Sequence, residues 1–177
     1  MQRIVKTAAA ASTLAAGLFA LWYRVFPTGA ALSLAITAGT TAYHFIMRLL
    51  VGGTVERIMR GRADYGRRWY RPRSFEEPLY RALRVKQWKN RMPTWRPESF
   101  SLREHTPCEI AQTMCSSELV HEISAVLSFA PLLAARFFGA LPVFLITSAA
   151  ASLFDLMFAV MQRYNRPRIL RLAGRRK

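Results

Sequence analysis

Acidic residues, cysteine and histidine are all scarce in this sequence. Ten Asp and Glu stand against 26 Lys and Arg, giving a net charge of +16, which points to nucleic acid or anionic lipid as a partner. The two cysteines, Cys108 and Cys115, are seven residues apart without matching ligands, so they do not form a zinc pattern. His44 and His105 are not spaced as a cluster with His121, and we predict no metal site. Neither a glycine-rich phosphate loop nor a Ser or Cys nucleophile elbow is recognisable.

Long apolar runs are abundant, since 52% of the residues are hydrophobic. A helix needs about 20 residues to cross a bilayer core of about 30 Å, and four stretches qualify. The first has no small-residue cleavage pattern at its end, so we expect an uncleaved span and not a signal peptide. The sequence predicts an all-α integral membrane protein, a single domain over residues 1–177. The predicted spans are about 7–25, 29–51, 119–136 and 138–161.

The distribution of Lys and Arg predicts the orientation of these spans. Residues 52–117 hold 14 of them and residues 162–177 hold seven, whereas the connections within each pair of spans hold only Arg24 and Arg136. Short cytoplasmic segments carry such an excess. We therefore expect two membrane hairpins joined by a cytoplasmic linker, with both termini in the cytoplasm of a bacterial-type cell. In that reducing compartment a structural disulfide is not expected.

The linker combines arginine with aromatic residues, as in Arg67-Arg68-Trp69-Tyr70-Arg71. This composition favours contact with anionic lipid headgroups, and no recognised module supports nucleic acid binding. A helix is predicted to begin at Glu76 and to end before Pro93, with Tyr80, Arg84 and Trp88 on one face. Another helix is predicted to run from Pro107 into the third span, which we expect Pro131 to kink.

Three polar clusters carry side chains suited to chemistry. Trp88-Lys89 lies in the linker. Glu118 and His121 are three residues apart on one helical face, so the carboxylate can orient the imidazole as a general base. A lone Glu-x-x-His lacks the second motif and extra glutamates of a di-iron bundle. The third cluster, residues 162–168, supplies guanidiniums suited to phosphate.

Asp155 lies about two turns inside the predicted fourth span. Charges near lipid are costly and tend to mark functional positions. His44 and Arg48 are four apart in the second span and share a face. We predict either of them as the intramembrane partner of Asp155, although snorkelling would also explain Arg48.

At these three clusters the sequence resembles the glycosyl-4,4'-diaponeurosporenoate acyltransferases, small membrane enzymes with an aromatic-Lys pair, a Glu-x-x-His and a terminal Gln-Arg-Tyr-Asn-Arg-Pro-Arg. The resemblance covers roughly residues 80–172. It implies transfer of a fatty acyl chain from acyl-CoA or a similar co-substrate to a hydroxyl of a glycolipid or glycosylated isoprenoid, with no covalently bound cofactor. It implies His121 as base and Glu118 as its orienting partner. The implied donor- and substrate-binding residues are Trp88, Lys89, Gln162, Arg163, Asn165, Arg166 and Arg168.

Two other classes stay open on the sequence alone. A non-enzymatic assembly or lipid-binding protein would explain the basic linker equally well. Another group transferase acting on a lipid acceptor would need the same polar pocket. In each case the expected partners are membrane lipids with anionic headgroups and, for an enzyme, an amphiphilic acceptor.

Overall fold

The computed structural model describes residues 2–174, whose regular elements are all helices, with no strand in that range. The helices are α1 Gln2–Val25, α2 Gly29–Met59, α3 Glu76–Ala82, α4 Val85–Trp88, α5 Pro107–Leu127, α6 Ala135–Phe138 and α7 Leu141–Gly174. Short 3₁₀ helices cover Arg68–Tyr70, Lys89–Arg91, Pro97–Phe100 and Ala130–Ala134. The predicted all-α class is confirmed. Met1 and the last three residues of the predicted basic tail, 175–177, lie outside the described residues.

Four segments are long and apolar enough to cross a membrane: Arg3–Val25, Gly29–Met59, Pro107–Phe138 and Leu141–Gly174. The protein is therefore an integral membrane protein, as predicted, although the helices are longer than the predicted spans. Helix α2 continues beyond residue 51 to Met59, α5 begins at Pro107, and α7 continues through the predicted tail. The third predicted span is not one bent helix, because α5 ends at Leu127 and Pro131 lies in the following 3₁₀ turn.

The connection between α1 and α2 is a short turn that contains Pro27 and Thr28. Val25 ends α1, and the hydroxyl of Thr28 accepts a hydrogen bond from the amide of Ala31 at 3.2 Å. This caps the first turn of α2, whose leading amides have no partner within the helix.

The chain divides into two compact units. The first contains the residues up to Val51 together with Ile123–Asp155. Its helix α1 carries no charge between Thr7 and Tyr23 and is largely exposed, with Leu14, Leu18 and Leu21 each more than 60% exposed. An exposed apolar stretch of this length requires an apolar environment, which lipid supplies.

Within this first unit, an ion pair joins α2 to α7. The Arg48 Nε donates to both oxygens of Asp155 at 3.1 and 3.0 Å, and its Nη2 donates to one of them at 2.5 Å. The remaining guanidinium donors reach the carbonyls of His44 and Ala151, each at 3.1 Å. Of the two predicted partners of Asp155, Arg48 is thus the one whose side chain binds it here. His44 is buried and contributes its backbone oxygen.

Replacing Asp155 with asparagine is expected to lower the free energy of unfolding by about 2 to 3 kcal/mol, because it removes the carboxylate facing Arg48. The cost stays below that of a fully buried pair, since the Arg48 side chain is 20% exposed and can turn toward water. Thermal unfolding in detergent measures this loss. Asp64→Asn is the control, because that side chain is 64% exposed; equal stability of the two variants would contradict the prediction.

The second unit contains Gly52–Glu122 and the residues from Leu156 onward. In its linker the predicted single helix over residues 76–92 is wrong. Arg84 adopts a left-handed conformation with φ of 51°, so the helix breaks into α3 and α4. The predicted common face is lost with it, since Tyr80 is buried whereas Arg84 is exposed.

Candidate active site

The carboxylate of Glu118 lies fully buried at the centre of a charged cluster in the second unit. Its Oε1 accepts a hydrogen bond from the Arg163 Nη1 at 2.7 Å, and its Oε2 accepts one from the Arg166 Nη1. Arg166 is itself only 2% exposed. A buried carboxylate is stable only when it is paired and hydrogen-bonded, and here two guanidiniums meet that need.

Helix spacing explains how α7 supplies both guanidiniums. Arg163 and Arg166 are three residues apart and share one face of the helix. Arg163 also reaches α3, where its Nε donates to the Oε1 of Glu76 at 2.7 Å. The cluster therefore contains two carboxylates and two guanidiniums, and its formal charge is zero. It joins α3, α5 and α7 through charge-assisted hydrogen bonds.

The same guanidiniums hold the backbone of residues 67–73, here called the basic loop. Arg163 Nη2 donates to the carbonyls of Trp69 at 3.0 Å and Arg71 at 3.2 Å. Arg166 Nη2 donates to the carbonyl of Tyr70 at 2.5 Å. Three consecutive carbonyls of the loop are thus bound by α7, which fixes a segment that has only one turn of 3₁₀ helix of its own.

A second attachment joins the basic loop to α5. The indole Nε1 of Trp69 donates to the Oε2 of Glu122 at 2.9 Å, one residue beyond His121. Trp69 remains 53% exposed, so its ring is still accessible on the surface of the loop.

Glu76 is also fixed from within α3. The Tyr80 hydroxyl donates to its Oε2 at 2.9 Å, and the Tyr80 ring meets that of Tyr164 edge-on, with centroids 5.3 Å apart. Burial, and then the hydrogen bond to the Glu76 carboxylate, raises the pKa of Tyr80 well above its ordinary value. The phenol therefore stays protonated and acts as a donor.

A third group surrounds Tyr164 with cationic side chains. Lys89 Nζ donates to the Oδ1 of Asn165 at 3.0 Å and lies 5.4 Å from the centroid of the Tyr164 ring. The guanidinium of Arg168 lies 3.5 Å from the same centroid and donates to the Tyr164 carbonyl. Partial burial, and then the nearby Arg168 charge, lowers the pKa of Lys89. Trp88 packs against the Tyr80, Val85 and Tyr164 cluster and donates its indole N–H to the Leu83 carbonyl at 2.9 Å.

His121 lies on α5, one turn beyond Glu118. Its imidazole stacks on the buried ring of Phe158, with centroids 4.6 Å apart and planes inclined by 10°. The stack fixes the plane of the imidazole, and the residue is half-buried. A neutral imidazole so held carries one donor and one acceptor nitrogen, which is what a general base requires.

The sequence-predicted residues of the three clusters therefore all fall in the second compact unit. The structure joins Glu118 to Arg163 and Arg166, and Lys89 to Asn165, and it buries Gln162 on α7. The guanidiniums of Arg163 and Arg166 pair with the buried carboxylates of Glu76 and Glu118. The predicted donor-binding roles stay predictions. The predicted roles of Glu118 and His121 in catalysis stay predictions.

Three contributors to the cluster were missed at the level of sequence: Glu76, Tyr80 and Trp69. The sequence predicts Glu76 only as the first residue of a helix, and Tyr80 only as one residue of the face that it shares with Arg84 and Trp88. Their i, i+4 spacing was the available signal, because it allows a tyrosine hydroxyl to reach a carboxylate one turn away.

Comparison with known protein families gives a match over more than half of the chain. The model of the glycosyl-4,4'-diaponeurosporenoate acyltransferase family matches residues 66–175. The matched region contains the basic loop, α3 to α7 and every residue of the charged cluster. No curated protein and no solved structure matches the chain.

Proposed function

The chain belongs to the glycosyl-4,4'-diaponeurosporenoate acyltransferase family, and from this premise we propose that it moves a fatty acyl group from a cytoplasmic thioester donor to a hydroxyl of a glycosylated, isoprenoid-type amphiphile in the membrane. One observation carries the proposal. The family match covers most of the compact unit that contains Lys89, Glu118, His121 and Asn165.

The reaction is an acyl substitution at the thioester carbonyl. The acceptor hydroxyl oxygen forms a bond to the carbonyl carbon while its proton passes to a nitrogen of His121. The resulting tetrahedral intermediate carries an oxyanion. Its collapse breaks the carbon–sulfur bond, and the thiolate takes the proton from the imidazolium. The products are an ester and a free thiol, and the imidazole is again neutral.

Asn165 is the proposed donor to the oxyanion. A lysine ammonium only donates, so the contact with Lys89 requires the Asn165 carbonyl oxygen to face it. The amide Nδ2 then keeps its hydrogens for another acceptor. A preorganised donor of this kind typically contributes about 10²- to 10³-fold to the rate of acyl transfer.

Arg163 and Arg166 act as positioning residues in this proposal. They hold Glu118 and the basic loop, and through α7 they set the place of Asn165, which lies between them in sequence. The proposed site opens to the cytoplasmic side, which agrees with the excess of Lys and Arg in residues 52–117.

The test uses the purified full-length protein in nanodiscs with palmitoyl-CoA and an isoprenyl glucoside as model acceptor. Mass spectrometry is expected to find an acyl ester of the glucoside and an equal amount of free coenzyme A. Native mass spectrometry of the detergent-solubilised protein is expected to find retained acyl thioester or glycolipid. If no ester is formed and no thioester is retained, while lipid is still bound, the protein is a lipid-binding protein and the proposed function fails.

A further inference from the structure

The basic loop borders a surface cavity that the described chemistry does not use. The cavity has a volume of about 430 Å³ and is lined by Arg68, Arg71, Pro72 and Arg73. All four residues are exposed. Three guanidiniums border this one concavity, and planar guanidinium groups are suited to binding a small, multiply charged anion.

The loop backbone beneath this cavity is fixed before any ligand arrives. Its carbonyls at Trp69, Tyr70 and Arg71 are bound by the two guanidiniums of α7, and the Trp69 indole is bound to Glu122. A segment held in this way loses little further backbone entropy when it binds a ligand. The buried charged cluster thus positions the exposed arginines as well as Glu118.

Two of these arginines contact neutral groups. Arg71 Nε donates to the carbonyl of Gly66 at 3.0 Å, and the Arg73 guanidinium lies 6.0 Å from the centre of the Trp69 ring. Neither group neutralises a guanidinium charge. Like charges gathered around one cavity repel each other, and an anion bound among them removes this repulsion.

We propose that this cavity binds the phosphate groups of the nucleotide-bearing thioester donor, a proposal that rests on the proposed function. Arginine forks match phosphate oxygens in pairs, and the exposed Trp69 ring beside the cavity offers an aromatic surface for a base. The loop is attached to α5 at Glu122, next to the proposed base His121. Phosphates of a lipid headgroup share the same chemistry, and the experiment separates the two sources.

The experiment measures binding of free coenzyme A and of 3'-dephospho-coenzyme A to the full-length protein in phosphatidylcholine nanodiscs. The site variant is Arg68→Gln/Arg71→Gln/Arg73→Gln. The control variant, Arg62→Gln/Arg81→Gln/Arg103→Gln, removes the same charge from exposed positions of the same unit. Loss of three charge-assisted contacts is expected to weaken coenzyme A binding by at least about 100-fold, whereas the control stays within about threefold. Without the 3'-phosphate, the native protein is expected to bind about tenfold more weakly.

Equal weakening in the site and control variants would overturn the proposal, because the effect would then be long-range electrostatics. Unchanged coenzyme A binding in the site variant would overturn it too. In that case native mass spectrometry is used in parallel to count the phosphatidylglycerol molecules that each protein retains from mixed nanodiscs. A lower count for the site variant would identify lipid headgroups as the ligand. Binding is measured without turnover. If the site variant still binds coenzyme A and still transfers acyl groups, this proposal fails and the proposed function stands.

Discussion

Acyl transfer is expected to fall by about 10²- to 10⁴-fold when His121 is replaced with alanine, because no other group then takes the proton of the attacking hydroxyl. The protein should still fold and insert. His121 is half-buried, and its observed packing is the stack on Phe158 at the edge of the charged cluster. The rate of coenzyme A release from palmitoyl-CoA in the presence of the glucoside acceptor measures the effect, with membrane yield and thermal unfolding measured in parallel.

The matched control for this variant is His105→Ala. The side chain of His105 is 40% exposed, lies 4.0 Å from the Glu109 carboxylate and takes no part in the proposed reaction. Its replacement should leave turnover within about twofold, since surface substitutions rarely alter stability by more than about 0.5 kcal/mol. Near-normal turnover of the His121 variant would remove this residue from the mechanism. A loss of bound coenzyme A in the same variant would instead assign His121 to donor binding.

The number of membrane-crossing helices was predictable from the sequence because a bilayer imposes a length and a composition on each span. The ends of these helices were not predictable from the sequence. Helix α2 continues eight residues past the predicted limit of residue 51, and α7 continues through Pro167. Hydropathy marks where the apolar stretch ends, but a helix continues into water wherever its side chains find partners. Arg163 and Arg166 find theirs inside the second unit.

The residues of the charged cluster were largely predictable, and their pairing was not. Glu118 and the Gln162–Arg168 run were identified by residue type and by family resemblance. The bonds among Glu118, Arg163 and Glu76 join residues more than 40 positions apart. Only the packing of α3, α5 and α7 determines them. Both oxygens of Glu118 accept hydrogen bonds from arginines of α7, and spacing along α5 alone does not reveal this.

The linker helix failed as a prediction for a different reason. The four-residue spacing of Tyr80, Arg84 and Trp88 is compatible with one continuous helix, and local propensity does not oppose it. The structure instead buries Tyr80 against Glu76 and Tyr164, and Lys89 reaches Asn165. These tertiary contacts accompany a reversal of the backbone at Arg84, whose positive φ carries a cost of about 1–3 kcal/mol.

The largest expected effect on stability follows from replacing Glu118 with leucine. This change leaves the guanidinium of Arg166 buried without a carboxylate and removes one of the two carboxylates bound by Arg163. Breaking a buried ion pair in this way typically costs about 3–5 kcal/mol. Thermal unfolding in detergent measures the loss. The control is Glu77→Leu, which removes an exposed carboxylate beside Glu76 and should change stability little.

A second variant separates the loss of the ion pair from the loss of Glu118 packing. In the double variant Glu118→Leu/Arg166→Leu the uncompensated charge is gone, and two apolar side chains occupy its place. Such replacement of a buried pair is often neutral or stabilising, so the double variant should be more stable than Glu118→Leu alone. Some cost should remain, because the Tyr70 carbonyl loses its donor. The single variant Arg166→Leu completes the comparison. If the destabilisation of the double variant equals the sum of those of Glu118→Leu and Arg166→Leu, the two residues are not energetically coupled. The buried pair would then not be what holds α5, α7 and the basic loop together.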